Sequence, residues 1–302
     1  MTDIDTNPSF VLVITGRGPI PDKLINVISD TIGEYYSYIP KAIRLGDIAV
    51  EYGIPSHDHS LLYLMNKRFS GSEFDFNIVE NLNRKKKLFI ADMDSTLIAN
   101  ECIDELAAYA GLRDEISIIT ERAMEGKINF DDSLIQRVAL LKGLPEATLE
   151  SIYNQNITLN PGALILGKTL ASHGVKTIIA SGGFDFVAIR VAKSIGFVSA
   201  YSNRLEIENS VLTGRVLPPI LSPKAKRNIL IDQCEKANIL LSETLCVGDG
   251  ANDIEMINMA GNGVAYCAKN ELIKVAECTI SHADLTGLLY LQGYRQEDFS
   301  GC

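Results

Sequence analysis

From residue 87 onward the chain repeats one pattern: a short apolar run that ends in Gly, Ser, Asn or Asp, then a helical stretch, then another such run. The runs are residues 87–91, 175–180, 197–201 and 244–247, and apolar residues at helical spacing separate most of them. A helix between two strands carries the chain back across the sheet, so successive strands lie parallel. The pattern therefore predicts an α/β fold with a parallel sheet and helices on both faces. Chemistry in such sheets gathers beyond the carboxyl ends of the strands. The first run ends at Asp92, the second at Ser181, Gly182 and Gly183, and the fourth at Gly248, Asp249 and Gly250.

Asp92 and Asp94 open an Asp-x-Asp-x-Thr sequence that closes at Thr96. Residues i and i+2 at a strand end project to the same side, so both carboxylates can approach one cation and one phosphoryl group. Phosphoester hydrolysis through an acyl phosphate needs a carboxylate nucleophile, a proton donor for the departing alkoxide, and positive charge around the equatorial oxygens. Asp92 is the expected nucleophile and Asp94 the expected acid, then base. Ser181 with the amides of Gly182 and Gly183, ahead of a helical run, is the expected anion cradle. Lys224 and Lys226 lie at the start of another predicted helix, and either can supply a point charge to the phosphoryl group. Asp249 is placed to ligate an ion together with Asp92 and Asp94, Asn252 to reach the phosphate, and Asp253 to orient that shell or the lysine. Hard oxygen donors without a soft site make Mg2+ the expected ion. Taken singly, each motif has a plain structural reading as a turn, a helix cap or a solvated lysine. Their joint order at successive strand ends is what favours chemistry.

Residues 97–158, between the first and second runs, are strongly helical over 100–110, 112–124 and 131–141, and read as a cap over the strand ends. Residues 203–216 read as a hairpin turning at Asn209 and Ser210. Before residue 87 the signals are a strand over 10–15, a helix over 21–35 and one strand over 42–52, a small α+β unit. The stretch 60–80 reads as polar and irregular, and the basic run near 82–87 as a solvated linker between domains 1–86 and 87–302.

The 28 Lys and Arg against 38 Asp and Glu, a net charge of −10, argue against a nucleic-acid-coating surface. The six cysteines show no metal spacing and read as reduced thiols. A polar, acidic N-terminus and no long apolar stretch lead to the expectation of a cytoplasmic protein with no membrane partner.

On the Asp92-to-Thr96 motif, Glu101 and its neighbours, Ala123 to Gly126, Asn129-Phe130, Ser181 to Asp185, and Gly248 to Asp253, the chain resembles the haloacid-dehalogenase superfamily of phosphotransferases over about residues 87–290, and within it the phosphoserine phosphatases. The resemblance implies a Rossmann-like core, a helical cap, magnesium, and release of L-serine from O-phospho-L-serine as the last step of serine biosynthesis. It also implies that Glu101 binds the substrate amino group, Arg137 its carboxylate, and Met124 and Phe130 its apolar part, and it favours Lys226 over Lys224. The first domain is similar to an ACT module, with a homodimer as the partner such a module suggests. Two other readings compete: a phosphotransferase using another small alcohol such as homoserine as acceptor, and an amino-acid-binding regulatory protein with a vestigial core. With every candidate catalytic residue beyond residue 87, the first domain is expected to be dispensable for chemistry.

Overall fold

The computed structural model describes residues 8–38 and 40–301, the side chain of Met124 excepted. Most of the N-terminal stretch used above to argue localisation, and Cys302, lie outside the described residues. The first part of the chain runs β1 (Phe10–Gly16), α1 (Asp22–Tyr36), β2 (Ala42–Gly46), β3 (Ala49–Ile54), α2 (His59–Arg68) and β4 (Phe74–Glu80). Its four strands form an antiparallel sheet in the order β2-β3-β1-β4. Alternation along β1 divides its apolar residues between two cores. Leu12 and Ile14 pack with Ile28, Ile32, Leu61 and Met65 of the two helices, whereas Val11 and Val13 join the same core as Leu288 and Tyr290 of the second part. A strand covered on both faces needs a continuous apolar run, which is what residues 10–15 supply.

Three sequence expectations change here. The single strand over 42–52 is two strands, β2 and β3, turning at Asp47 and Ile48. The irregular stretch 60–80 contains α2, whose N-cap Asp58 accepts the amides of Ser60 and Leu61, and β4. β4 reads as polar because Asp75 and Asn77 are buried against the second part. Asp75 accepts the amide protons of Ser281 (2.8 Å), His282 (3.0 Å) and Ala283 (3.0 Å), and Asn77 both donates to and accepts from the Thr279 backbone. The basic run is also more than a solvated linker. Arg84 is 8% exposed, pairs with Glu51 at 2.8 Å and donates to the carbonyls of Tyr290 and Leu291.

The second part runs β5 (Leu88–Ala91), α3 (Cys102–Ala110), α4 (Arg113–Met124), α5 (Phe130–Leu140), α6 (Ala147–Gln155), α7 (Ala163–Ser172), β6 (Lys176–Phe184), α8 (Asp185–Ile195), β7 (Ser199–Glu208), β8 (Val211–Leu217), α9 (Pro223–Ala237), β9 (Thr244–Gly248), α10 (Ile254–Met259), β10 (Asn262–Tyr266), α11 (Asn270–Ile273), β11 (Cys278–Ile280) and α12 (Gly287–Leu291). The sheet order is β11-β10-β9-β5-β6-β7-β8, parallel except where β8 turns back on β7. From β5 the chain adds β6 and β7 on one side, then returns to add β9 and β10 on the other. The junction of β5 and β9 is the topological switch point, where such sheets leave a crevice for ligands. Helices α3 to α6 lie between β5 and β6 in sequence, as the cap reading expects. No helix of the described residues is long and apolar enough to cross a membrane.

Candidate active site

Asp92 follows β5 directly, its amide donating to Val247 of β9 at 2.9 Å, and it is 3% exposed. Its Oδ1 accepts the Met93 amide and lies 2.8 Å from the ammonium of Lys226. Lys226 is 1% exposed and also lies 2.7 Å from Oδ1 of Asp253. Burial alone would drive the proton from this lysine, but Asp253 and Asp92 outweigh it and hold the ammonium above its usual range. Lys224, two positions back on the opposite side of α9, is exposed. The structure therefore brings Lys226 to the nucleophile candidate and leaves Lys224 in solvent.

After Asp92 the chain turns sharply: the amides of Thr96, Leu97 and Ile98 all donate to the Met93 carbonyl, and Ser95 adopts a left-handed φ of 56°. The turn aims Asp94 back over the strand ends, where Sγ of Cys102 lies 2.9 Å from its Oδ1. Burial first, and then the Glu101 carboxylate, push the Asp94 carboxyl well above its ordinary range. Glu101 accepts Ser95 Oγ at 2.7 Å and is itself raised by burial, with Asp249 and Asp92 adding to the shift.

Ser181 is fully buried, and its Oγ accepts the Gly183 amide at 2.9 Å. A side chain at Gly183 would place Cβ 2.6 Å from Oδ2 of Asp94, and one at Gly182 would meet the Phe130 ring at 3.0 Å, so a larger residue at either position would press on the groups that line the cavity. Asn252 donates to Oδ2 of Asp92 over 3.4 Å. Asp92, Asp94, Glu101, Phe130, Arg137, Ser181, Gly182, Gly183, Asp249 and Asn252 all line one cavity of about 130 Å³. Lys226 and Asp253 stand behind it, and the side chain of Met124 lies outside those described.

Oxygens of Asp92, Asp249 and Asp253 lie within 4.8 Å of one another, a set of hard donors able to hold a divalent cation. Both oxygens of Asp253 already have partners, Lys226 and the Gly250 amide, which leaves Asp92 and Asp249 as the free donors. The carboxylate of Asp94, expected above as a third ligand, is outside this group because it faces Cys102 and Gly183. Burial and Asp92 raise the Asp249 carboxyl, with Lys269 opposing at 3.6 Å.

Sequence reading missed Lys269, Ile103, Leu134 and Phe184 on the cavity wall. Lys269 follows β10, a five-residue strand that the apolar runs had not disclosed; its recognition would have placed a lysine beyond another carboxyl end. A larger cavity of about 520 Å³, between α8, β8 and α9, contains none of Asp92, Asp94 and Asp249.

A family model described as haloacid dehalogenase-like hydrolase matches residues 86–261. The chain is 46% identical over 206 residues to a phosphoserine phosphatase of Archaeoglobus fulgidus, covering 68% of this chain and 60% of that one, less than two thirds of the relative's length. It is 42% identical over 208 residues to a phosphoserine phosphatase of Methanocaldococcus jannaschii, covering 69% of this chain and 98% of the relative. Among solved structures, a HAD family hydrolase from Salmonella enterica serovar Typhi matches with a TM-score of 0.84 at 29% identity, over 93% of this chain and 98% of that one. With a family model over more than half its length and a relative matched almost end to end, this chain belongs to the haloacid dehalogenase-like hydrolases, in the family of the phosphoserine phosphatases.

Proposed function

We propose that the chain hydrolyses O-phospho-L-serine to L-serine and inorganic phosphate through a phosphoryl group carried on Asp92. The observation that carries the reading is the small cavity itself: Asp92, Asp94 and Ser181 on the strand side face Glu101 and Arg137 on the cap side within about 130 Å³. That is room for a serine-sized phosphomonoester and little more.

Asp92 Oδ1 is held by Lys226 and the Met93 amide, so Oδ2, with one long contact to Asn252, is the oxygen free to attack phosphorus. The phosphoryl oxygens would rest on Ser181 Oγ–H, whose oxygen is oriented by the Gly183 amide, and on the Gly182 amide. As the bond from phosphorus to the serine oxygen breaks, Asp94, kept protonated by its burial and by Glu101, gives its proton to that oxygen. The resulting Asp94 carboxylate then takes a proton from water as water displaces Asp92 from phosphorus, which regenerates both carboxyl groups. Asp92 and Asp249 would hold Mg2+, which when bound offsets negative charge on the phosphoryl oxygens. Arg137 spends one N–H on the Ser133 carbonyl at 3.2 Å, leaving the rest of its fork for a carboxylate, while Glu101 suits an ammonium.

Phosphate release from a panel of small phosphomonoesters with Mg2+, including both phosphoserine enantiomers and an assay with homoserine as acceptor, tests the proposal. A marked preference for O-phospho-L-serine with free phosphate as product is expected. Activity on the panel without that preference would contradict the assigned substrate.

A further inference from the structure

We infer that Asn203 is a positioning residue for phosphoryl transfer, holding the phosphate-facing loop of β6 at a fixed distance from the start of the helix that carries Lys226. The inference rests on the reading of residues 181–183 as the phosphate cradle.

The pairing of β6 with β7 is regular as far as Ala180 opposite Tyr201, and resumes with Phe184 opposite Asn203. Between those pairs β6 has three residues, 181–183, where β7 has only Ser202. The surplus is thrown out of the ladder toward the cavity, which Ser181, Gly182 and Gly183 all line. Bulged backbone loses its partners in the sheet. Asn203 supplies one: its Nδ2 donates to the Gly182 carbonyl at 2.8 Å. Its Oδ1 accepts the Leu221 amide at 2.7 Å. Leu221 lies two residues before Pro223, where α9 begins, and Lys226 in the first turn of α9 reaches Asp92 at 2.8 Å.

One fully buried amide thus ties together the two elements that would contact the same phosphoryl group. The chemistry of its partners fixes its orientation: a carbonyl demands a donor and an N–H demands an acceptor. Of the side chains of this size, only asparagine and a protonated aspartic acid present one of each in the same plane. Without it, a part-buried carbonyl and a buried N–H would both lose their partner, and the simplest repair is for the bulge to turn toward water, away from the geometry that faces phosphate. Asn203 itself does not line the cavity, so its effect passes through Gly182 and through the start of α9.

Asn203→Ala and Asn203→Asp are compared with the wild type for kcat and KM on p-nitrophenyl phosphate, for the inhibition constant of inorganic phosphate, and for thermal unfolding. In the alanine variant, at temperatures where it is folded, KM and the phosphate inhibition constant are expected to rise together, and kcat/KM to fall about 10- to 100-fold. The aspartate variant has the same shape, and its activity relative to wild type is expected to recover as pH is lowered, because the neutral acid can donate to the Gly182 carbonyl and the carboxylate cannot. Folded variants with a wild-type phosphate inhibition constant, and an aspartate-to-wild-type activity ratio that does not change with pH, would overturn the inference. If the alanine variant does not fold, the pH dependence of that ratio decides alone. A wild-type enzyme inactive on every phosphomonoester would instead overturn the functional reading itself.

Discussion

The ammonium of Lys226 lies 2.8 Å from Oδ1 of Asp92, with both side chains almost wholly buried. The pair holds the nucleophile in one rotamer, and Asp253 on the far side holds the lysine. Removing one member of such a group leaves uncompensated charge. Lys226→Met is therefore expected to cost about 3–5 kcal/mol of stability, and activity with it, because two carboxylates lose their counter-ion. Denaturant unfolding of the variant checks this; a stability within experimental error of wild type would mean that the ion pairs contribute no net stability.

The pocket's carboxyl groups make a prediction about pH. Asp94, Glu101 and Asp249 are each raised by burial first and then by neighbouring carboxylates. A carboxyl raised in the folded state favours folding while it is protonated, so this contribution is present below the ordinary carboxylate range and is lost as pH rises through the raised values. The metal-free protein should thus lose stability on going from mildly acidic to neutral pH, and Asp94→Asn should flatten the slope. Adding Mg2+ should raise the melting temperature most at the neutral end, as binding to the folded state alone requires. Melting curves in chelator and in Mg2+ across that range test it; a metal-free stability that climbs toward neutral pH would contradict it.

Arg137→Ala should damage phosphoserine hydrolysis much more than hydrolysis of p-nitrophenyl phosphate, which has no amino-acid carboxylate to read. Losing one partner of a buried charged contact costs about 2–5 kcal/mol, which would appear in kcat/KM for the amino-acid substrate. Equal losses on both substrates would assign Arg137 to the support of α5, in keeping with its bond to Ser133.

The first sheet is expected to be needed for the second. Without residues 1–82 the amides of Ser281, His282 and Ala283 lose Asp75, and the core around Leu288 and Tyr290 loses Val11, Val13 and Val79. A chain beginning at Asn83 should be poorly soluble, and in the full chain Asp75→Ala should cost about 2–3 kcal/mol by orphaning those three N–H groups. Expression of the shortened chain with a phosphate-release assay distinguishes the cases. A soluble and active core would support the dispensability that the position of the catalytic residues in the sequence suggests.

The strand ends that carry chemistry were legible in the sequence because two signals coincide there, an apolar run and the polar residues that terminate it. Asp92, Ser181 and Asp249 each sit where such a run stops. What hid from reading were places where burial and polarity coincide. β4 contains Asp75 and Asn77 because its polar side chains bond to another part of the chain far away in sequence, and no local pattern announces a distant partner. Arg84 looked solvated for the same reason. Lys224 and Lys226 differ by two positions on a helix, about 200° around its axis, so one faces the sheet when the other faces water. Local pattern leaves both open; the family resemblance favours Lys226, and packing buries it.

The measurement closest to the central claim is steady-state phosphate release from O-phospho-L-serine, with Mg2+, by wild type and by folded Asp92→Asn in one assay. The amide keeps the shape of the side chain, yet it is neither a competent nucleophile nor a charged partner for Lys226. Wild type is expected to turn over and the variant to lose at least about 1,000-fold in kcat. Substantial turnover by a sequence-verified Asp92→Asn protein would contradict the account.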